Sequence, residues 1–261
     1  MDDFLSVNYD IIKEKLNSTS FCGNIYFFDK ATSTFDLEDK TQKKDRTLII
    51  AKTQTNAYGR FKRKWQSDSG GVYFSLIIRP DKKCDLSTFY SIISALCVKR
   101  AISKHLKCFV KWPNDIIDKT GKKLCGILTK VRYETDDNFY LNIGIGINAN
   151  TSDFPSELVY ATSIFKNLGY KIDENLLLKD IITEFESLCN EEKEKIIKEY
   201  KDCAVTLGKD VKIISPNDGS FYIAKCIDIN SDGALIVETQ DKVKKIINYG
   251  EVSVRGIYDG I

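Results

Sequence analysis

A short basic cluster is the part of the sequence whose residue types point most directly to chemistry. Arg60, Lys62, Arg63 and Lys64 fall within five residues, and Trp65 follows them. Guanidinium and ammonium groups bind phosphate or carboxylate oxygens, and an aromatic face can stack on a heterocycle. The serines and paired glycines of the next six residues would let such a loop close and reopen. The cluster therefore predicts an anion clamp, although a solvated surface loop could have the same composition.

Two further segments place charged groups beside apolar strands. Residues 111–115 read Lys-Trp-Pro-Asn-Asp, and the proline predicts a tight turn where a strand ends; we name this segment the polar corner. Lys123 begins a second apolar strand and has no acidic neighbour in the sequence. A partly buried lysine without an acidic partner indicates that an anionic ligand supplies the opposite charge.

The histidine and cysteine content excludes several kinds of catalysis. His105 is the single histidine and lies at the end of a predicted helical stretch, which argues against a Ser-His-Asp or Cys-His triad. A multi-histidine metal site is excluded. The eight cysteines contain no Cys-x-x-Cys pair, which does not fit the spacing of a zinc site. Cys97, Cys108 and Cys125 lie in apolar stretches typical of reduced, buried thiols. The chemistry must therefore use lysine, arginine, carboxylate, amide and backbone groups.

Residues 144–149, Gly-Ile-Gly-Ile-Asn-Ala, formally match the glycine pattern of dinucleotide-binding folds. That pattern requires a helix directly after the glycines, whereas residues 150–155 are mostly polar and end in a proline. We therefore reject a dinucleotide-binding function. The two glycines instead predict a strand that a ligand or a neighbouring strand approaches closely.

Charge and hydropathy restrict location and partners. The 261 residues carry 39 basic and 37 acidic side chains, a net charge of +2, which gives no overall attraction to nucleic acid or membranes. The N-terminus is acidic where a signal peptide is basic, and no apolar run approaches the ~18 residues that span a bilayer. We therefore expect a cytoplasmic protein that binds neither membranes nor nucleic acid.

Hydrophobic periodicity predicts two domains, residues 1–204 with helices and strands and residues 205–261 with short strands only. A long polar loop over residues 54–71 separates two strands of the first domain. Helices are expected within residues 1–20, over 85–106 with Asp85 as N-cap, and over 173–200. Strands are expected at residues 24–28, 47–52, 72–79, 108–112, 116–117, 124–133 and 139–148.

Four motifs in a fixed order carry a resemblance to a known family. They are residues 54–65, the polar corner, residues 123–128 (Lys-Leu-Cys-Gly-Ile-Leu) and residues 144–148 (Gly-Ile-Gly-Ile-Asn). With the tail at residues 206–256, the chain resembles the biotin protein ligases over roughly residues 24–256. The resemblance implies an α+β fold: a mixed β-sheet backed by helices, as in class II synthetases and biotin–lipoate ligases, followed by an SH3-like β-barrel.

The resemblance also implies a two-step reaction that needs no histidine. The biotin carboxylate, which is ionised at pH 7, attacks the α-phosphate of Mg-ATP and gives biotinyl-5′-AMP and pyrophosphate. A lysine of a biotin carboxyl carrier protein, from acetyl-CoA carboxylase or a related carboxylase, then attacks this mixed anhydride. The first step brings two anions together and therefore requires cations and backbone donors. ATP, Mg²⁺ and biotin are the ligands that the resemblance implies.

By the same resemblance, Lys123 bridges the biotin carboxylate and the α-phosphate, while Arg60 and Arg63 close over the adenylate. Asp115, the one acid in these motifs, would receive the acceptor lysine's proton or orient its amine, and Asn148 would lie near the phosphates and Mg²⁺. The residues expected at biotin are Ser33, Thr34, Phe35, Gln54, Tyr58, Gly59, Arg60, Lys123 and Gly126. Those expected at ATP or the adenylate are Arg60, Arg63, Trp65, Lys111, Asn114, Lys123 and Asn148.

Several positions depart from the family pattern. Phe35 stands where an asparagine usually follows Ser/Thr-Thr, so one polar contact to biotin is lost. Ala57 and Tyr58 replace a loop glycine and arginine, and Lys62 stands where another loop glycine is common. We expect these changes to affect affinity and retention of the adenylate more than the type of reaction.

The resemblance leaves some partners and alternatives open. Family members that repress transcription carry a winged helix-turn-helix domain before the catalytic domain, whereas about twenty residues precede the first strand here, so we expect no sequence-specific DNA binding. Family members often dimerise, and a homodimer is therefore a further expectation. A lipoate or octanoate ligase on the same fold and a non-catalytic RNA- or protein-binding module are the alternatives. The polar corner and the C-terminal barrel favour biotin, and the near-zero net charge disfavours nucleic acid.

Overall fold

The computed structural model describes residues 5–80, 86–215, 218–248 and 253–256, whose strands form two sheets. The N-cap expected at Asp85 and residues 249–252 of the C-terminal motif lie outside the described residues. The helices in the described residues are α1 (Tyr9–Lys15), α2 (Leu86–Ser103), α3 (Ile164–Leu168), α4 (Glu174–Cys189) and α5 (Lys193–Cys203). The strands are β1 (Ile25–Ala31), β2 (Thr47–Gln54), β3 (Val72–Ile78), β4 (Cys108–Lys111), β5 (Asp115–Asp118), β6 (Lys123–Tyr133), β7 (Phe139–Ile147), β8 (Asp210–Ile214), β9 (Phe221–Ile229), β10 (Leu235–Thr239), β11 (Lys244–Ile247) and β12 (Ser253–Gly256).

The first sheet has seven strands in the order β1-β2-β3-β7-β6-β5-β4. Strand β1 pairs with β2 in parallel, and the other neighbouring strands pair antiparallel. Strand β3 is buried along its whole length, as expected for a strand covered on both faces. The prediction of a mixed sheet backed by helices is confirmed.

Alternation along β7 gives the two faces of this sheet different chemistry. Residues 141, 143, 145 and 147 are Leu, Ile, Ile and Ile, and they pack into the main hydrophobic core. The intervening Asn142, Gly144 and Gly146 lie on the opposite face, because successive side chains of a strand point to opposite sides. That face is therefore small and polar at its centre, which leaves room for a cavity.

The helices cover the apolar face, where α2 packs against β4, β6 and α4. The expected helix over residues 173–200 is instead two helices, since α4 ends at Cys189 and α5 begins at Lys193. The physical reason lies at Asn190, whose side-chain Nδ2 donates to the carbonyl oxygen of Glu186 at 2.9 Å and so competes with the helical backbone. None of the described helices is long and apolar enough to cross a bilayer.

A buried carboxyl group joins the first residue of α4 to two other parts of the chain. Glu174 accepts hydrogen bonds from the backbone N–H of Val7 at 3.2 Å and from Nδ2 of Asn150 at 3.0 Å. Burial raises the pKa of the Glu174 carboxyl from 4.5 to about 7, and these two hydrogen bonds only partly oppose the shift. The folded protein therefore binds a proton here that the unfolded chain releases at lower pH.

This shift makes the free energy of unfolding depend on pH. A carboxyl whose pKa is raised by folding stabilises the fold at acidic pH, and that contribution disappears as the pH rises through about 7. In wild type this carboxyl lowers the free energy of unfolding by about 2–3 kcal/mol as the pH rises from 5 to 8. We expect that part of the decrease to be absent in Glu174→Gln. Urea unfolding at the two pH values measures this difference.

The exposed Glu194 of α5 supplies the matched control for Glu174. Glu194→Gln should leave the difference in unfolding free energy between pH 5 and pH 8 as it is in wild type. A Glu174→Gln protein with the same pH difference as wild type would show that the buried carboxyl does not titrate in this range.

The second sheet is antiparallel, in the order β11-β10-β9-β8-β12, and its strands follow the last helix. Buried and exposed residues alternate along most of β9, because one face of this sheet packs inward. Within the described residues the strand pairs form an open sheet, and no pair closes it into a barrel. The architecture changes between the end of α5 and the start of β8, and the domain boundary after residue 204 stays a prediction.

Candidate active site

A cavity of about 1120 Å³ lies on the small, polar face of the seven-stranded sheet. Its volume lies just above the range of about 300–1,000 Å³ that is usual for pockets of small ligands. Every residue that the sequence placed at a site lines this one cavity. These residues are Ser33, Thr34, Phe35, Gln54, Tyr58, Gly59, Arg60, Arg63, Trp65, Lys111, Asn114, Asp115, Lys123, Gly126 and Asn148.

Three glycines of β6 and β7 let large side chains lie directly on the sheet. A Cβ atom at Gly144 would stand 2.8 Å from the ring of Phe35, and one at Gly146 would collide with the indole of Trp65. A Cβ atom at Gly126 would stand 2.9 Å from Nζ of Lys123 and 3.2 Å from Trp65. The close approach expected at Gly144 and Gly146 is therefore made by side chains of the site, rather than by a neighbouring strand, and Gly126 shows the same arrangement.

Lys123 is one of the cations that line the cavity, and its acidic partner comes from the adjacent strand. Its Nζ lies 2.6 Å from Oδ1 of Asp115 and 5.2 Å from the ring centre of Trp65. The expectation that Lys123 lacks an acidic partner is therefore wrong. The carboxylate holds the ammonium group in place, while both side chains stay about one quarter to one third exposed and can still meet a ligand.

The backbone of Lys123 is fixed by a segment that the sequence did not single out. Its N–H donates to the carbonyl oxygen of Tyr160 at 2.7 Å, and its own carbonyl oxygen accepts from the N–H of Thr162 at 3.0 Å. Phe154, Leu158 and neighbouring residues of this segment also line the cavity. From the sequence we conclude only that residues 150–155 do not form a helix. The hydrogen bonds between Lys123 and residues 160–162 join segments nearly forty residues apart, and no local sequence pattern predicts such a contact.

Residues 33–35, called the polar turn below, line the cavity, and hydrogen bonds from within the protein stabilise them. Oε1 of Gln54 accepts from the N–H of Thr34 at 2.7 Å, and Nε2 of Gln54 donates to Oγ of Ser67 at 3.0 Å. The hydroxyl of Ser75 donates to Oγ1 of Thr34 at 2.9 Å, and Oγ of Ser33 accepts from the N–H of Phe35 at 3.3 Å. The loop over residues 54–71 carries the basic cluster and is called the basic loop below. Gln54 thus ties this turn to Ser67, which follows the basic cluster in that loop. Neither Ser67 nor Ser75 was predicted as a site residue, because their partners are distant in sequence.

Two of the departures from the family pattern contact each other. The rings of Phe35 and Tyr58 meet edge to face with centres 6.0 Å apart, and Nζ of Lys130 lies 5.5 Å and 5.7 Å from the two centres. The hydroxyl of Tyr58 donates to Oδ1 of Asp36 at 2.6 Å. Burial, together with this carboxylate, raises the pKa of Tyr58 to about 12, so the phenol stays a donor. An aromatic pair therefore replaces the polar contacts usual at these two positions.

The basic loop bends sharply at Phe61 and Lys62, which both have a φ of +54°. Such left-handed backbone favours glycine, which gives a physical reason for the glycine common at the second position. The guanidinium carbons of Arg60 and Arg63 lie 5.1 Å and 5.6 Å from the ring centre of Phe61. The loop therefore presents its arginines together at the cavity wall.

Two asparagines brace the strands around Lys123. Nδ2 of Asn114 donates to the carbonyl oxygen of Ile127 at 2.5 Å, and the N–H of Ile127 donates back to the carbonyl oxygen of Asn114 at 3.0 Å. Nδ2 of Asn148 donates to the carbonyl oxygen of Thr162 at 2.9 Å. Asn148 is only 4% exposed and lines the cavity beside Lys123.

The histidine, His105, and the cysteines of the described residues are not part of the cavity lining. Those cysteines are free thiols. Cys97, Cys108 and Cys125 are buried as expected, whereas Cys84 lies outside the part of the chain that the structure describes. No cluster of metal-binding side chains occurs among the described residues.

Comparison with known proteins gives two matching family models. Residues 25–148 match the biotin/lipoate A/B protein ligase family, and residues 206–255 match the biotin protein ligase C-terminal domain. A bifunctional ligase/repressor BirA of Bacillus spizizenii is 36% identical over 212 residues, which cover 77% of this chain and 64% of the relative. The chain thus spans less than two thirds of the length of that relative.

Two further proteins extend the comparison. A biotin–[acetyl-CoA-carboxylase] ligase of Mycobacterium tuberculosis is 23% identical over 219 residues, covering 80% of this chain and 79% of the relative. The structure of the biotin protein ligase from Aquifex aeolicus in complex with biotin and ATP superimposes with a TM-score of 0.77 at 26% identity, covering 89% of this chain and 99% of that one. The two matching models and the shared fold make the chain similar to biotin protein ligases over residues 25–148 and 206–255.

Proposed function

We propose that the protein activates biotin with Mg-ATP to biotinyl-5′-AMP and then transfers biotin to a lysine of a carboxylase's biotin carboxyl carrier domain. The observation that carries this proposal is the position of the Lys123–Asp115 ion pair, which lies in one cavity with the polar turn and the basic loop. The biotin and ATP bound to the Aquifex aeolicus ligase, and the name of the Mycobacterium tuberculosis relative, support the substrates and the acceptor.

In the first step an oxygen of the biotin carboxylate forms a bond to the α-phosphorus of ATP, and the bond to pyrophosphate breaks. Both reactants are anions, so the main barrier that the protein must lower is their mutual repulsion. Lys123 carries the charge that would bridge them, and Arg60 and Arg63 would cover the phosphates from the basic loop. The buried indole N–H of Trp65 has no partner among the described residues and could donate to a bound ligand.

The cavity would hold both substrates. Ser33, Thr34, Phe35, Gln54, Tyr58, Gly59 and Gly126 are the proposed contacts of biotin, with the amide of Gln54 organising the turn. Lys111, Asn114 and Asn148, with Trp65 and the loop arginines, are the proposed contacts of ATP and the adenylate. Mg²⁺ would arrive with ATP, and the amide oxygen of Asn148 is a ligand of the type that Mg²⁺ accepts.

In the second step the amine of the acceptor lysine bonds to the carbonyl carbon of the adenylate, and AMP leaves with the bonding electron pair. The amine must first lose a proton, because a free lysine has a pKa near 10.4. Asp115 is the proposed group that receives this proton or orients the amine. A cytoplasmic location, a homodimer, and the absence of nucleic-acid binding belong to the same proposal.

Release of pyrophosphate from ATP tests this function without any carrier protein. We expect release with biotin, none without an added acid, and little with lipoate. Release with lipoate alone would assign the protein to lipoate activation. No release with either acid, together with salt-sensitive RNA binding, would support a binding module instead.

A further inference from the structure

The polar corner is held by the C-terminal part of the chain as well as by its own sheet. The indole N–H of Trp112 donates to the carbonyl oxygen of Gly233 at 2.9 Å, and the backbone N–H of Trp112 donates to Oγ1 of Thr206 at 3.1 Å. Trp112 and Thr206 are 1% and 2% exposed, so water does not replace these bonds. Trp112 follows the edge strand β4, and Thr206 supplies the acceptor that a neighbouring strand would otherwise provide.

The turn that contains Gly233 is itself fixed against the first domain. Oδ1 of Asn230 accepts from the N–H of Asp232 at 3.0 Å, and the carboxylate of Asp232 pairs with Nζ of Lys193 at 2.6 Å. Gly233 has a φ of +87°, and a side chain there would collide with Ile92 of α2. The carbonyl of Gly233 is therefore an acceptor at a fixed position relative to α2 and α5.

The polar corner also includes Asp115, which forms the ion pair with Lys123. Asn114 donates a hydrogen bond to the carbonyl oxygen of Ile127 and accepts one from the N–H of Ile127. Oδ1 of Asp115 lies 2.6 Å from Nζ of Lys123. Trp112 and Asp115 are three residues apart in a closely packed interior, so a backbone shift at Trp112 moves the carboxylate as well. Misplacement of reacting groups by about 1 Å can lower a rate about a hundred-fold.

We propose that Thr206 and the carbonyl of Gly233 are positioning groups for the Lys123–Asp115 ion pair, so that the C-terminal domain sets the geometry of adenylate formation. Neither Thr206 nor Gly233 lines the cavity, and both act through Trp112 rather than on a substrate. The inference rests on the proposed ligase function.

Two substitutions of Thr206 distinguish the effect of its hydroxyl group from the effect of its side-chain size. Thr206→Val keeps the size of the side chain but leaves the buried N–H of Trp112 without an acceptor, whereas Thr206→Ser keeps the hydroxyl. We expect Thr206→Val to lower kcat for biotinyl-adenylate formation about ten-fold, with the KM for biotin within two-fold of wild type. Thr206→Ser should restore kcat to within two-fold of wild type.

Rates are compared on folded protein, with the folded fraction measured by circular dichroism at the assay temperature. A purely structural role would lower the melting temperature and leave kcat per folded molecule unchanged in Thr206→Val, which would overturn the proposal. An equal loss of kcat in the valine and serine variants would also overturn it, since the hydroxyl would then not matter. Wild type that forms no adenylate would contradict the proposed function itself.

Trp112→Phe provides an independent variant if Thr206→Val does not fold. It removes the indole donor, leaves the carbonyl of Gly233 without its partner, and keeps an aromatic ring in the core. We expect the same signature, a reduced kcat with a nearly unchanged KM for biotin. An unchanged kcat per folded molecule in this variant would contradict the positioning role of Gly233.

Discussion

Lys123→Met is expected to lower kcat/KM for biotinyl-adenylate formation by about a thousand-fold or more. The substitution keeps an unbranched side chain that is one atom shorter and removes a charge that lines the same cavity as the polar turn and the basic loop. At about 4 Å, a charge pair near a protein surface is worth about 4 kcal/mol, which corresponds to about three orders of magnitude in rate. Lys123 would meet two developing contacts of this kind, one with the carboxylate and one with the α-phosphate.

The neighbouring Lys122 is a matched control, because its side chain is exposed and does not line the cavity. Lys122→Met should form the adenylate at the wild-type rate. Lys123→Met also leaves Asp115 without its partner, so Lys123→Met combined with Asp115→Asn tests whether an unpaired carboxylate causes the loss. A rate within ten-fold of wild type in Lys123→Met would remove Lys123 from its proposed role.

Local patterns predicted the strands of the site well. Alternation of isoleucine and glycine in residues 143–146 fixes which side chains face the core, and β7 follows that pattern. The sharp end of β4 at the polar corner likewise follows from a single proline. These features depend on neighbouring residues only, so one sequence is enough to predict them.

Contacts between distant segments could not be predicted in the same way. The indole of Trp65 packs against Gly146, and the indole N–H of Trp112 donates a hydrogen bond to the carbonyl oxygen of Gly233. The two members of each pair are at least eighty positions apart in the sequence. The partner of Lys123 was missed for a different reason. A register shift between Ile116 and Ile117 adds a bulge to the β5–β6 pairing, and bulges redirect side chains in ways that alternation alone does not predict.

Replacing Asp115 with asparagine is expected to slow transfer of biotin from preformed adenylate to the carrier lysine about a hundred-fold. The carboxylate is the group beside Lys123 that could receive the proton of the attacking amine, and an amide cannot receive it at neutral pH. Adenylate formation should fall less than ten-fold, because the amide oxygen of asparagine can still accept a hydrogen bond from Nζ of Lys123. The contrast between the two steps separates proton transfer from simple misplacement of Lys123.

A small nucleophile makes this test of Asp115 sharper. Hydroxylamine is largely neutral at pH 7, so it attacks the adenylate without needing a base. Asp115→Asn should therefore react with hydroxylamine at nearly the wild-type rate while transfer to the carrier lysine stays slow. Asp137→Asn, in the exposed turn between β6 and β7, is the control and should leave both rates unchanged. Equal transfer rates to the carrier in Asp115→Asn and wild type would show that another group, or water, takes the proton.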